Sequence, residues 1–304
     1  MVHAWTRRTA LTAGLGGLAV LAAGGAAGLE LVKRGVLPGA QELDRLDGAC
    51  TVAATRLSFG PAGPSRSGTF KSRARNRPVG YTIGFPPGYS AGQRLPLIVM
   101  LHGAGGTHKT ALTSMSPAQA MALRVDGQPL PPMAMVTADG GDDYWNPHPG
   151  DDPMAMIVSE LIPMCQRLGL GRPPERIGVM GISMGGYGAV LLAELHPRLF
   201  AAVAAISPAI WTSYRQTRAV SRQAYATAAD FTADDTVTHT AALAGKPVRI
   251  ASGESDPFHP GVAALARALP ASAVVHFAKG CHTGAFFAEQ EPPSLAFLAS
   301  HLTA

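Results

Sequence analysis

The chain has 304 residues, of which 47% are hydrophobic and 15% are charged. That composition supplies one large core, or a core with a small cap, and excludes a disordered or fibrous protein. The formal net charge of +5 is mild for this length, and the one basic cluster, Lys71, Arg73, Arg75 and Arg77, has no interleaved aromatic residues; this argues against a nucleic-acid partner and reads as a solvated strand edge kept soluble by charge.

At the N-terminus, Arg7 and Arg8 precede a charge-free, Ala/Gly/Leu-rich stretch from Thr9 to Leu29. Paired arginines before a weakly apolar segment resemble a twin-arginine export signal over residues 1–29, with small residues between Ala22 and Gly28 as cleavage points. Ala10 stands where such signals usually carry a bulky apolar residue. The alternative is an uncleaved membrane anchor, which the many glycines and alanines disfavour. The expected location is therefore outside the cell or in its envelope, with membrane proximity through this segment. Residues 30–66, carrying Pro38, Gly39, Pro61, Gly63 and Pro64, read as a linker, and residues 67–304 as the folded domain.

That domain opens with an antiparallel pair over Gly68 to Phe85, turning at Asn76 to Pro78. Short unbroken apolar runs follow: Leu97 to Leu101, Met133 to Val136, Ile177 to Met180, Ala201 to Ile206, Val248 to Ala251 and Val274 to Phe277. Runs without alternation predict strands buried on both faces. Helical segments lie between them, at Ile157 to Leu168 (start signal Asp151 to Pro153), Tyr187 to Leu195, Gly261 to Leu269 and Pro293 to Leu302. Strands alternating with helices predict an α/β fold with a mostly parallel, doubly wound sheet. Residues 209–246 lack a strand run and carry Trp211, Tyr214 and Tyr225 among polar residues, as a short cap insertion would. Of the three cysteines, Cys50, Cys165 and Cys281, at least one must be unpaired within the chain, and a Cys50–Cys165 bridge is one option in an oxidising compartment.

Gly181-Ile182-Ser183-Met184-Gly185 matches G-x-S-x-G between an apolar run and a helix. That is the strand–turn–helix setting of a nucleophile elbow, in which a serine sits on a sharp turn at a helix N-terminus. A serine hydroxyl needs a base. His282, in the loop after the last apolar run, is the best placed histidine; His276 lies within a strand run, His196 ends a helix, and His259 and His301 have no fitting context. The base needs an acid to fix its tautomer. Asp256 follows the Val248 to Ala251 run and is preferred over Glu254 for its place further along the loop, giving the chain order Ser183, Asp256, His282. Leu101-His102-Gly103-Ala104-Gly105-Gly106 supplies an oxyanion loop, with the backbone N–H groups of Ala104 and Met184 as donors. His102 and Gly103 border the substrate in this reading, and His102 shapes the loop by hydrogen bonding. Asp142, Asp143, His148, Asp151 and Asp152 crowd one loop with Tyr144 and Trp145. Their spacing fits no metal loop, so they are read as a polar rim, with Tyr144, Trp145 and Trp211 as an aromatic wall for substrate and no metal site.

The run Gly181 to Ala189, continuing through His196-Pro197 and Leu199 to Val203 to Ser207-Pro208, resembles the esterase D and feruloyl-esterase-like group of α/β-hydrolases over about residues 68 to 300. That group is related to S-formylglutathione hydrolases and to secreted mycolyltransferases. The resemblance implies the α/β-hydrolase fold, a Ser183–His282–Asp256 triad, oxyanion donors at Ala104 and Met184, no cofactor, and carboxylic ester substrates. Gly185-Gly186 departs from the Ala-Gly usual in the mycolyltransferases. Ester hydrolysis through an acyl-enzyme, on a small-molecule or glycan ester with a short acyl or aryl-acyl group, is the expectation. Acyl transfer to a sugar or lipid hydroxyl is the alternative, and a non-enzymatic binding module would lack a member of the triad.

Overall fold

The computed structural model describes residues 40–303. The chain divides into two compact units between Thr51 and Val52. The described part of the first contains helix α1 (Ala40–Leu46). The export signal expected over residues 1–29 lies outside the described residues, and no described helix is long and apolar enough to cross a membrane.

The second unit is built on eight strands: β2 (Ser65–Ser72), β3 (Arg77–Gly84), β4 (Leu97–Leu101), β7 (Ala134–Ala138), β8 (Ile177–Ile182), β9 (Ala202–Ile206), β10 (Val248–Gly253) and β11 (Val274–Ala278), with β1 (Ser58–Phe59), β5 (Leu123–Val125) and β6 (Gln128–Pro129) forming a separate small sheet. The large sheet runs β11-β10-β9-β8-β4-β7-β3-β2. The strands from β11 to β7 are parallel to their neighbours, while β3 is antiparallel to both β7 and β2. Part of the segment read as a linker is therefore structured, since β1 and the first residues of β2 fall within it.

The central strands β4, β7, β8 and β9 are buried at every residue. Alternation explains why they need no polar face. Leu97, Val99 and Leu101 enter one apolar cluster and Ile98 and Met100 the other, on opposite faces of the sheet. The first face is covered by α3 (Pro153–Met156), a π-helical segment (Ile157–Leu161), α4 (Ile162–Arg167) and α5 (Met184–Leu195), together with α8 (His259–Ala268). The second is covered by α9 (Gly284–Leu302) and by the segment containing α2 (Pro117–Ala120). The last strand differs from its expected burial. Val274, Val275 and His276 of β11 are exposed because β11 is the sheet edge. The cap region holds two short helices, α6 (Tyr214–Val220) and α7 (Ala228–Ala233), and a 3₁₀ turn at Thr240–Leu243.

Two further expectations are corrected. Arg75 is not a solvated edge residue but is 3% exposed. Its guanidinium forks onto both Asp151 oxygens at 2.6 and 2.9 Å and donates to the Asp139 carbonyl at 2.6 Å. Arg77 reaches the same Asp151 carboxylate at 2.8 Å from the exposed side. Cys165 is a free thiol buried in the first face of the sheet, and desolvation pushes it up to about 12, so the Cys50–Cys165 bridge is not formed. Cys50 and Cys281 are disulfide-bonded.

Candidate active site

The strands β4 and β8 are neighbours, and the chain leaves them in opposite directions along the sheet, to β7 and to β9. Their C-terminal ends form a topological switch point, where an open α/β sheet leaves a crevice. Ser183 sits there, between the last residue of β8 and the first of α5. It holds φ 58° and ψ −120°, a conformation that only surrounding structure can impose on a residue with a side chain. The flanking glycines are required by space. A Cβ on Gly181 would lie 2.0 Å from the Gly185 carbonyl oxygen, and one on Gly185 would lie 2.1 Å from that of Leu101. The turn is fixed further by the Ser183 N–H, which donates to the Ile206 carbonyl at 2.9 Å.

The Ser183 hydroxyl lies 2.8 Å from His282 Nε2, and His282 Nδ1 lies 2.8 Å from Asp256 Oδ2. The Asp256 side chain is fully buried, and its other oxygen accepts the Phe258 N–H at 2.9 Å. A carboxylate in that position accepts the hydrogen bond donated by Nδ1–H and so fixes the tautomer whose Nε2 lone pair faces the serine. His282 stays 22% exposed. Its ring lies between Phe258 and Phe287, each with its centroid at 5.0 Å. Neither phenylalanine was singled out in the sequence. Phe258 follows the acid by two residues and Phe287 lies in the first turn of α9, so only the fold shows that both flank one ring. Glu254 is exposed, and His276 is exposed on β11. His259 packs against Phe277, and His196 ends α5.

Gly103 lies beside the nucleophile, and a Cβ on it would stand 3.4 Å from that of Ser183. Ala104 follows in an exposed turn. Among the described residues no acceptor takes the backbone N–H of Ala104 or of Met184; the latter is the first residue of α5, where the helix leaves its N–H groups free. Gly105, at φ 73°, donates its N–H to Asp142 at 2.6 Å, which ties this loop to the acidic segment. His102 is placed differently from the expectation that it borders the substrate. It is fully buried, its Nδ1 is 2.8 Å from the Gly103 carbonyl, and its Nε2 accepts the Gly140 N–H at 2.9 Å. Burial lowers its pKa, so the ring is a neutral support of the loop.

The aromatic wall is also revised. Trp145 is wholly buried over Gly140 and Gly188, neither of which has room for a Cβ, and its Nε1 donates to the His102 carbonyl at 3.2 Å. It is core. Tyr144 is nearly buried, with its phenol pushed up to about 12 by desolvation, and it packs against Trp211 at 6.1 Å. Trp211 in turn meets Phe258 edge-on at 4.8 Å. Trp211 and Phe258 line a cavity of about 320 Å³ with Ile210, Val220 and Pro260. The acidic residues serve the scaffold. Asp151 holds Arg75 and Arg77, and Asp152 caps α3 through the Ala155 N–H at 2.8 Å. No cluster of three or more metal-ligating side chains occurs among the described residues.

Comparison with known proteins places the fold and the family. A family model described as "Putative esterase" matches residues 72–279. No curated protein matches the chain. Similar solved structures include a ferulic acid esterase, 18% identical with a TM-score of 0.65 over 81% of this chain and 100% of that one. An S-formylglutathione hydrolase from Agrobacterium tumefaciens is 16% identical with a TM-score of 0.62, over 83% and 100% of the two chains. MPT51 (FbpC1) of Mycobacterium tuberculosis is 16% identical with a TM-score of 0.58, over 79% and 100%. With the family model spanning most of its length, the chain belongs to this esterase family and is a carboxylic ester hydrolase of the α/β-hydrolase fold.

Proposed function

We propose that the protein hydrolyses short acyl or aryl-acyl esters through an acyl-enzyme on Ser183, outside the cytoplasm. The observation that carries the mechanism is the unbroken relay Ser183–His282–Asp256, with both links at 2.8 Å. His282 Nε2 takes the hydroxyl proton as Ser183 Oγ bonds to the ester carbonyl carbon. The Ala104 and Met184 N–H groups receive the developing oxyanion. The imidazolium, held by buried Asp256, then protonates the departing alkoxide, which leaves as the alcohol. Water repeats the sequence on the acyl-enzyme and releases the acid, with His282 again as base.

The substrate range follows from the walls. Trp211 and Phe258 offer flat apolar surface beside His282, and the cavity they line has about 320 Å³. That suits a ring or a short chain. A long acyl tail gains about 0.8 kcal/mol per buried CH₂ only along a continuous apolar groove, and the cap is interrupted by Arg215, Gln216, Arg218, Arg222 and Gln223. Export rests on the Arg7-Arg8 leader, and the substrate is then a small-molecule or glycan ester of the envelope or its surroundings.

Fluorophosphonate labelling tests the nucleophile. Ser183→Ala is expected to abolish it and to lower ester turnover by several orders of magnitude; labelling that persists rejects the assignment. Measuring kcat/KM from p-nitrophenyl acetate to palmitate tests the range. An optimum at the long end, or transfer to trehalose outpacing hydrolysis, would replace this reading with acyl transfer.

A further inference from the structure

A cavity of about 570 Å³ lies away from the active site. Arg94 precedes β4, and Phe85 follows β3, which runs antiparallel to β7. Both therefore lie at the N-terminal ends of the parallel strands, across the sheet from Ser183 and the oxyanion loop. Four arginines, Arg66, Arg94, Arg167 and Arg172, line this cavity together with Phe85 and Tyr89, and no acidic residue does. Arg94 is held in place by the backbone, donating to the carbonyls of Arg172 and Pro173. The guanidiniums of Arg66, Arg167 and Arg172 have no hydrogen-bond or ion-pair partner among the described residues. Phe85, itself buried, stacks with Tyr89 at 4.1 Å and 20°.

Four like charges gathered around one concavity repel one another and raise a local positive potential, with no acidic side chain among the described residues that line it. Elsewhere this chain pairs a clustered arginine with an acid, as Arg75 and Arg77 share Asp151. Here the counter-charge is left to a ligand. Guanidinium forks match phosphate oxygens two at a time, and three free forks suit one doubly charged group with several acceptors better than a single carboxylate. The space exceeds that of a bare phosphate, and the stacked pair supplies an apolar wall for the remainder. We infer that this cavity is a second binding site, which takes a phosphate-bearing ligand whose organic part lies against Phe85 and Tyr89.

Isothermal titration of the whole protein with phenyl phosphate and with inorganic pyrophosphate tests the site. Both are expected to bind saturably. The Arg66→Ala/Arg167→Ala/Arg172→Ala variant is expected to weaken both by about a thousandfold, since each of the three charge-assisted forks lost is worth about a factor of ten. Tyr89→Ala is expected to weaken phenyl phosphate while leaving pyrophosphate nearly unchanged. The three arginines are exposed and remote from Ser183, so p-nitrophenyl acetate turnover and melting temperature of the triple variant should match the parent, which keeps this test independent of the hydrolytic reading. Phosphatidylglycerol and phosphatidylcholine vesicles identify the source of the phosphate. Sedimentation with the first alone, lost in the triple variant, assigns a lipid headgroup, and binding of the small probes without vesicle capture assigns a soluble phosphate ester. Absence of saturable binding by both probes, or binding and vesicle capture that the triple variant retains, overturns the proposal.

Discussion

Glu194 lies on the helix that Ser183 begins, yet both of its carboxylate oxygens are buried without a hydrogen-bond partner among the described residues. Desolvation, reinforced by the charge of Asp235, raises its pKa to about 9 from an ordinary 4.5. The folded chain thus holds a proton that the unfolded chain releases above 4.5. Its contribution to stability is fully present below that value and is lost as pH rises toward 9. By pH 7 the loss is on the order of 3 kcal/mol. Glu194→Gln removes the titration, so its melting temperature should exceed the parent's at pH 8 and approach it at pH 5; a gap independent of pH would reject the account. Nothing in Ala193-Glu194-Leu195 distinguishes this residue in the sequence, because a helix presents a buried and a solvated glutamate in the same letters. Asp142 was similarly legible only as a member of an acidic loop. Its 2.6 Å contact with the Gly105 N–H makes it a positioning residue for Ala104. Asp142→Ala should lower kcat about tenfold with little change in KM, as loss of a transition-state interaction does, and Asp142→Asn, which keeps the acceptor oxygen, should restore it.

At the scale of elements, the strands were legible because burial on both faces leaves an unbroken apolar run, and six such runs became β4, β7, β8, β9, β10 and β11. The same pattern did not separate a central strand from an edge, so the exposure of β11 was missed. Helix starts were read less well. The last helix was expected from Pro293 but begins at Gly284, capped by Thr283, and Pro292 and Pro293 lie inside it. A proline pair is a strong breaker signal, and packing of Phe286, Leu295 and Leu298 overrides it here. Among the elements of the cap, Trp211 is the one whose ring links the cavity of about 320 Å³, the proposed substrate pocket, to the base through Phe258. Trp211→Ala should reduce kcat/KM for aryl-acyl esters about tenfold and leave p-nitrophenyl acetate nearly unaffected. An equal fall for both substrates would mean that the ring serves only to support Phe258.

For the molecule as a whole, composition and alternation were enough to predict a doubly wound α/β domain, and the order serine, aspartate, histidine was enough to predict which residues meet. What the sequence could not supply was the N-terminal end of the parallel strands, where arginines distant in the chain line one cavity. The proposed export leader would extend the same molecule into its cellular setting. Residues 1–40 fused to a reporter should direct twin-arginine-dependent export, and replacing Arg7 and Arg8 with lysine should block it; a reporter that remains membrane-bound would instead favour an anchor.

The relay takes its serine from the end of β8, its acid from the end of β10 and its base from the loop after β11, the outermost strand of the sheet. Edge elements with exposed side chains open at lower free energy than a buried centre. Turnover is therefore a probe of the rim, whereas melting reports the middle. On heating, hydrolysis should fade several degrees before the central strands cooperatively unfold, and amide hydrogens of Val274 to Ala278 should exchange faster than those of β8 and β4. Cooling from that interval should return full activity, because the scaffold that re-forms the relay has never come apart.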